Sequence, residues 1–201
     1  MKKNLFCIAV LCVIFSCNNK TKEPDNTIET TAAIDSAKVT FFPVTSFLKG
    51  QLLILDSLPV TILQIKTVGK KTDSSWLKKE SIRPLLQPFI SQEIGAENLT
   101  AFFKQTKFND QTLEAITFTY EPAITLPDSI SIRRWDVYIH PETGRVKKVY
   151  LLKQLDKDEK KYTQQLTWQT DQWAKIVTIL NRPDGSSEIE SEVKLVWNFN
   201  E

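Results

Sequence analysis

The sequence predicts an α+β domain in which two N-terminal helices pack on a largely antiparallel sheet of about six to eight strands. Two observations carry this prediction. Before Gly95, apolar residues recur at helical spacing in two segments that end at prolines, and beyond it apolar and polar residues alternate. Alternation of a wet and a buried face is typical of antiparallel sheets, and helices that precede such strands are expected to cover one face.

The first helix is predicted from Thr45 to Leu58. Thr45 or Ser46 offers an N-cap, and Pro59 cannot continue the helix. The apolar face consists of Leu48, Leu52 and Leu55. Residues 60–68 then have the composition of an extended segment.

The second helix is predicted between Ser74 and about Gln87. Pro84 is tolerated only if the helix restarts at Ser81, which places the proline in the first turn, and Pro88 is expected to end it. The apolar side chains assigned to this helix are Trp76, Leu77, Leu85 and Leu86.

The strands follow from alternation in the second half of the chain. Turn chemistry at His140–Gly144 and Arg182–Gly185 separates them. The residues predicted to face the core are Ile116, Phe118, Tyr120, Trp135, Val137, Ile139, Tyr162, Leu166, Trp168, Ile189, Val193, Leu195 and Trp197.

The N-terminus has the pattern of a secretory signal. Lys2 and Lys3 precede an apolar run over residues 5–15, which is too short to span a membrane, and Ser16 is the small residue before the processing point. The segment Val13-Ile14-Phe15-Ser16-Cys17 resembles the lipobox of bacterial lipoproteins. That resemblance implies cleavage before Cys17 and a diacylglycerol on its sulfur.

The predicted organisation is therefore a signal peptide at 1–16, the lipidated Cys17 with a flexible tether over 17–38, and one α+β domain over 39–201. The tether has no aromatic residue and cannot bury enough apolar area to fold. Within it, Asp35-Ser36-Ala37 resembles the O-glycosylation site of Bacteroidetes, and chance occurrence of a three-residue pattern is the alternative for Ser36.

The lipobox resemblance implies attachment to the cell envelope through the lipid anchor. Asn18 follows Cys17 where an Asp would retain an enterobacterial lipoprotein in the inner membrane, so the outer membrane is expected, with the leaflet left open. Phe42-Pro43-Val44 and Asp73-Ser74-Ser75-Trp76 resemble small Bacteroidetes-type envelope lipoproteins. No activity comes with that resemblance.

Composition excludes several function classes. Cys7 and Cys12 lie in the predicted signal, so the mature chain would have no free thiol for a disulfide, a metal or a nucleophile. The chain has 26 Lys and Arg against 24 Asp and Glu, and loss of Lys2 and Lys3 leaves equal numbers. A neutral chain argues against nucleic acid as a partner.

No residue pattern predicts catalysis, a metal or a cofactor. His140 is the single histidine and precedes a turn proline, where an exposed turn residue is favoured over a catalytic base. The acidic ladder Glu188, Glu190 and Glu192 shares its face with Lys194, which favours a solvated surface over a calcium site. We therefore expect a protein that is not an enzyme.

Two functions remain open from the sequence. The first is an envelope lipoprotein that acts through contacts with a protein partner, for which a polar contact surface is predicted around the hairpin with Arg133, Arg134, Arg145, Lys147 and Lys148. The second is a carrier of an apolar ligand. Trp135, Trp168 and Trp197 are its candidate binding residues, although core packing is the favoured interpretation of all three.

Overall fold

The computed structural model describes residues 41–95, 99 and 101–198. The predicted signal peptide, the lipidation site at Cys17 and the tether with Ser36 lie outside these residues. The elements in chain order are α1 (Val44–Ser57), β1 (Ile62–Val68), β2 (Lys71–Leu77), α2 (Ile82–Ile90), β3 (Phe103–Asp110), β4 (Ala115–Pro122), β5 (Ile132–Ile139), β6 (Val146–Lys157), β7 (Lys160–Gln169), β8 (Trp173–Asn181) and β9 (Ser187–Val196).

The nine strands form one sheet in the order β2-β1-β9-β8-β7-β6-β5-β4-β3, and neighbouring strands pair antiparallel. The predicted α+β class with an antiparallel sheet is confirmed. Two details of the prediction are wrong: the sheet has nine strands rather than six to eight, and the helices are not both N-terminal, because β1 and β2 lie between them.

The register of the strands shows which side chains share each of the two faces of the sheet. One row of directly paired residues runs from Tyr120 through Trp135, Leu151, Leu166 and Ile176 to Val193. These residues join the hydrophobic core together with Leu48 and Leu52 of α1 and Leu86 and Phe89 of α2. We call this helix-covered side the inner face, and the opposite side the outer face.

The first helix begins differently from its predicted capping, and it ends before Pro59 as predicted. Pro43 occupies the N-cap position without a side-chain cap, and Thr45 is buried inside the helix. The Thr45 hydroxyl instead donates to the Gln92 carbonyl at 3.1 Å and accepts from the Ile94 N–H at 2.7 Å, which ties α1 to the segment after α2. At the other end Leu58 is extended before Pro59, as a residue preceding proline prefers.

The segment predicted as one helix from Ser74 is a strand followed by a shorter helix. Trp76 and Leu77 belong to β2, where Leu77 pairs with Ile62 and Trp76 is 61% exposed. A 3₁₀ turn over Lys79–Ser81 leads into α2, which contains Pro88 and continues to Ile90. Pro88 therefore does not end the helix.

One inward-facing assignment in β9 is also wrong. Ile189 is 58% exposed, although the alternation places it with Val193 and Leu195. The register shifts between Thr178 and Ile179, so that Ile179 pairs with Ile189 and Glu190 is the extra residue of a β-bulge. A single inserted residue reverses the side of the sheet for every position beyond it.

Candidate functional site

The three predicted tryptophans do not form one site. Trp135 is fully buried and stacks on Tyr120 with ring centroids 4.6 Å apart and an interplanar angle of 12°. Trp168 is also fully buried and contacts both Phe89 and Trp197, at 5.6 Å and 5.2 Å between centroids. The structure thus brings Trp168 and Trp197 together and places Trp135 in a separate aromatic cluster.

Trp168 and Trp197 lie beneath a groove at the C-terminal end of α1. Its volume is about 430 Å³, and we call it the α1 groove. Ile54 and Leu58 form part of its wall and are 49% and 40% exposed, and Val60 is 36% exposed. The full lining consists of Gln51, Ile54, Leu55, Leu58, Val60, Trp168, Asp171, Trp197 and Asn198.

Among the described residues that line the α1 groove, Asp171 is the single ionisable one. It is exposed in the turn between β7 and β8 and has a left-handed backbone, with φ of 64°. Aspartate is one of the few residues that adopt this conformation readily. The groove is therefore apolar along its floor and wall and carries one carboxylate among its polar residues.

A second feature lies on the outer face, around Asp136. This carboxylate is only 2% exposed, and both of its oxygens accept from Arg134 Nε at 3.1 Å. Arg134 also reaches Glu121 at 3.1 Å, and Lys148 Nζ lies 3.9 Å from the ring centroid of Tyr138. We define the Asp136 cluster as Arg134, Asp136, Tyr138, Lys148 and Tyr150.

Burial sets the protonation behaviour of the Asp136 cluster. Burial, and then the negative charge of Asp136, raises the pKa of both Tyr138 and Tyr150, so their phenols stay protonated at neutral pH. Burial also lowers the pKa of Lys148, and the charge of Asp136 acts against that shift. The cluster can donate hydrogen bonds and present charge and aromatic surface, but neither phenol is tuned to act as a base.

The basic hairpin of the sequence prediction is divided among several partners. Arg134 and Lys148 belong to the Asp136 cluster, Lys147 donates to the Leu113 carbonyl at 2.9 Å, and Arg133 donates to Gln154 at 2.8 Å. Arg145 is exposed. The cationic side chains closest to Asp136 therefore contact other residues of the same chain.

The candidate residues for catalysis or metal binding form hydrogen bonds and ion pairs with other residues of the protein. His140 Nδ1 accepts the backbone N–H groups of Glu142 and Thr143, both at 3.3 Å, which organises the turn after β5. The three glutamates of β9 have separate partners: Glu188 pairs with Arg182, Glu190 accepts from Tyr162, and Glu192 pairs with Lys175. Over residues 41–95, 99 and 101–198, no group of three or more His, Cys, Asp or Glu residues could hold a metal ion.

Within the part of the chain that the structure describes, the sequence prediction missed two buried charges. Lys153 is 2% exposed on the inner face and donates to the Pro88 carbonyl and to Ser91 Oγ. Its position two residues after Leu151 and four after Val149 was a signal, because those residues share its face. Asp136 gave no such signal, since its alternation with Trp135 and Val137 assigns it to the wet face.

No family model, no curated protein and no solved structure matches this chain. Among the described residues, no helix has both the length and the apolar character needed to cross a membrane.

Proposed function

We propose that this chain is a non-enzymatic envelope lipoprotein, held by a lipid on Cys17 at the outer membrane, that acts through contacts with a protein partner. The N-terminal pattern supports the anchor and the location. The Asp136 cluster supports the protein contacts, and it is the observation that carries the proposal.

The composition of the Asp136 cluster matches that of residues that dominate protein interfaces. Tyrosine and arginine are enriched among such residues, and they act best beside groups that are already desolvated. Tyr138 and Tyr150 are half-buried on the outer face, next to the desolvated carboxylate of Asp136, whose partner Arg134 remains 41% exposed. The Tyr138 ring already lies against the Lys148 ammonium group, so a partner that covers this ring would cause little further loss of side-chain entropy there.

The same contacts support the absence of a catalytic role. The carboxylate of Asp136 is engaged by Arg134 on both oxygens, and the raised pKa values of the tyrosines keep them neutral. A general base needs a pKa near the working pH and a free lone pair directed at a substrate.

Site-specific photo-crosslinking in intact cells tests this proposal. A photoreactive residue at Tyr150 should give a discrete protein adduct in the envelope fraction, and Arg134→Ala should abolish that adduct. Glu80 is exposed in the 3₁₀ turn and provides the control position, where no adduct is expected. Equal adducts at both positions, or recovery of the protein outside the envelope, would contradict the proposal.

The second candidate function, a carrier of an apolar ligand, is favoured by the α1 groove. Trp168 and Trp197 were two of the three residues predicted for such a site, and both line it. Saturable quenching of tryptophan fluorescence by an apolar ligand would support this function, and quenching that rises linearly without saturation would contradict it.

A further inference from the structure

We propose that the α1 groove binds a cationic amphiphile, an alkyl chain that ends in an ammonium group. The inference rests on the second candidate function and names the ligand class that the groove would accept. Three properties of the groove carry it: an apolar wall left open, a negative rim and a suitable size.

The wall of the α1 groove is apolar and solvent-exposed, and the residues that form its floor are buried. Ile54, Leu58 and Val60 keep between 36% and 49% of their surface accessible, while Trp168 and Leu55 below them are at most 4% exposed. The floor is further fixed because the N–H groups of Trp197 and Asn198 donate to the Gln172 carbonyl at 3.1 Å and 3.2 Å. An alkyl chain that covers this wall would remove apolar surface from water at a stabilisation of about 25 cal/mol per Å².

The rim of the groove carries negative charge and negative partial charge. Asp171 supplies the carboxylate, and Gln51 and Asn198 add neutral amides. The wall residue Ile54 lies in the last turn of α1, which contains no basic residue, and Leu58 is the C-cap of this helix. Helix C-termini carry a negative partial charge that favours cations. Both effects favour an ammonium head and oppose a carboxylate or phosphate head.

The size of the groove suits a small amphiphile. Ligand sites in proteins commonly measure about 300–1,000 Å³ and combine an apolar lining with a few polar groups. The α1 groove, at about 430 Å³ with six apolar residues and three polar ones, falls in the lower part of that range. An eight-carbon chain is therefore a reasonable probe length.

Isothermal titration calorimetry on the purified full chain tests the proposal with three probes of equal chain length. We expect n-octylammonium to bind saturably, 1-octanol to bind about threefold more weakly, and octanoate to bind about tenfold more weakly than the cation. Equal affinity for octylammonium and octanoate would overturn the assignment of charge. Absence of saturable binding by all three probes would overturn the site.

Matched variants locate the binding. Asp171→Asn should reduce affinity for octylammonium about threefold and leave octanol unaffected, because it removes only the charge. Ile54→Gln should weaken both probes about tenfold through the lost apolar contact. Leu53→Gln is the control: Leu53 is 64% exposed on the same helix and does not line the groove, so its affinities should equal those of the wild type.

Two outcomes separate this inference from the protein-contact proposal. If the wild-type protein binds none of the probes but still forms the Tyr150 adduct, the groove is not a ligand site and the protein-contact proposal stands. A short peptide with leucines beside a lysine, titrated in the same way, should bind more weakly than octylammonium. Tighter binding of the peptide would reassign the groove to a protein segment and overturn the inference.

Discussion

At the scale of single residues, Lys153 is a charged side chain buried in the core, where it is 2% exposed. It lies on the inner face beneath α2, and its ammonium group donates to the carbonyl of Pro88 and the hydroxyl of Ser91. The carbonyls at a helix C-terminus lack intrahelical donors, and a cation there is favoured by the helix dipole. Burial nevertheless lowers the Lys153 pKa to about 8, so the charge carries a cost in the folded state.

That cost makes stability depend on pH in a defined direction. Between pH 8 and the unfolded pKa of 10.5, the unfolded chain binds more protons at Lys153 than the folded one, so stability rises as the pH rises. From pH 7 to pH 9.5 the contribution of Lys153 to the free energy of unfolding should increase by about 2 kcal/mol. Urea denaturation at both pH values, with Lys153→Met as reference, measures it. The variant should lack this increment, and an identical pH response in both proteins would contradict the prediction.

Cys17 determines the membrane attachment in the proposed function. Cys17→Ser removes the sulfur that would carry the diacylglycerol, so the variant should lose acylation and leave the membrane fraction. Mass spectrometry of the N-terminal peptide and fractionation by ultracentrifugation check both results. Ser16→Ala keeps a small residue before the processing point and is the matched control. An unmodified Cys17 thiol in the wild type would refute the anchor.

Trp168 tests whether the predicted aromatic residues stabilise the core. Because it is fully buried against Phe89 and Trp197, Trp168→Ala should lower the free energy of unfolding by about 3–5 kcal/mol. Phe108→Ala is the control, since Phe108 is 64% exposed, and it should change stability by about 0.5 kcal/mol or less. Denaturant titration of both variants in the absence of ligand gives the comparison. A loss below about 1 kcal/mol for Trp168→Ala would show that this residue does not stabilise the core.

At the scale of elements, the segment between α2 and β3 holds the helices to the sheet through polar contacts. Gln92 Oε1 accepts from the backbone of Ser131 and Ile132, both at 3.2 Å, and the Gln92 carbonyl accepts from Thr45. One residue thereby connects α1 with the start of β5. Buried polar groups that are satisfied in this way favour one arrangement of the elements over others.

Thr45→Val tests that connection. Valine matches the shape of threonine but leaves the Ile94 N–H and the Gln92 carbonyl without their partner, which should cost about 2–3 kcal/mol. The neighbouring Ser46 is exposed, and Ser46→Ala should have little effect. Urea denaturation compares the two variants. Equal stabilities would show that Thr45 acts only by packing.

The elements that the sequence failed to predict are the two edge strands. β2 is exposed over Lys71–Trp76, and most of β3 is also exposed, so neither segment alternates apolar with polar residues. Periodicity reports burial on one face, and a strand exposed on both faces leaves no such pattern. The central strands β5 and β7 are buried on the inner face, and their alternation predicted them correctly. The left-handed turn at Gly69 was the remaining signal for a hairpin before β2.

The candidate sites could likewise be predicted from the sequence only in part. Trp168 and Trp197 could be predicted because they alternate on apolar faces. The α1 groove depends on where the end of α1 lies over the sheet, and the Asp136 cluster depends on pairing between β4, β5 and β6. Both arise from contacts distant in sequence, which local patterns do not encode.

At the scale of the whole molecule, stability is expected to come from the core without a metal ion. EDTA should therefore leave the thermal midpoint unchanged, and EDTA saturated beforehand with calcium is the matched control. A drop of several degrees with free EDTA alone would reveal an oxygen-ligand site, with Glu188, Glu190 and Glu192 as the first residues to substitute.

The pairing of β1 with β9 has a consequence for the order of events during synthesis. Leu63 of β1 pairs with Val196 of β9. One of the two neighbours of β1 is therefore the last strand in the sequence. A nascent chain emerging from the ribosome can form the β1–β2 hairpin but cannot join it to the sheet until β9 has been made. Sheets that contain pairs of strands so distant in sequence form slowly, because a long segment of chain must be ordered before the two strands make contact. Under the proposed function, in which a signal peptide directs the chain through a membrane, this delay would let the chain reach the far side still unfolded.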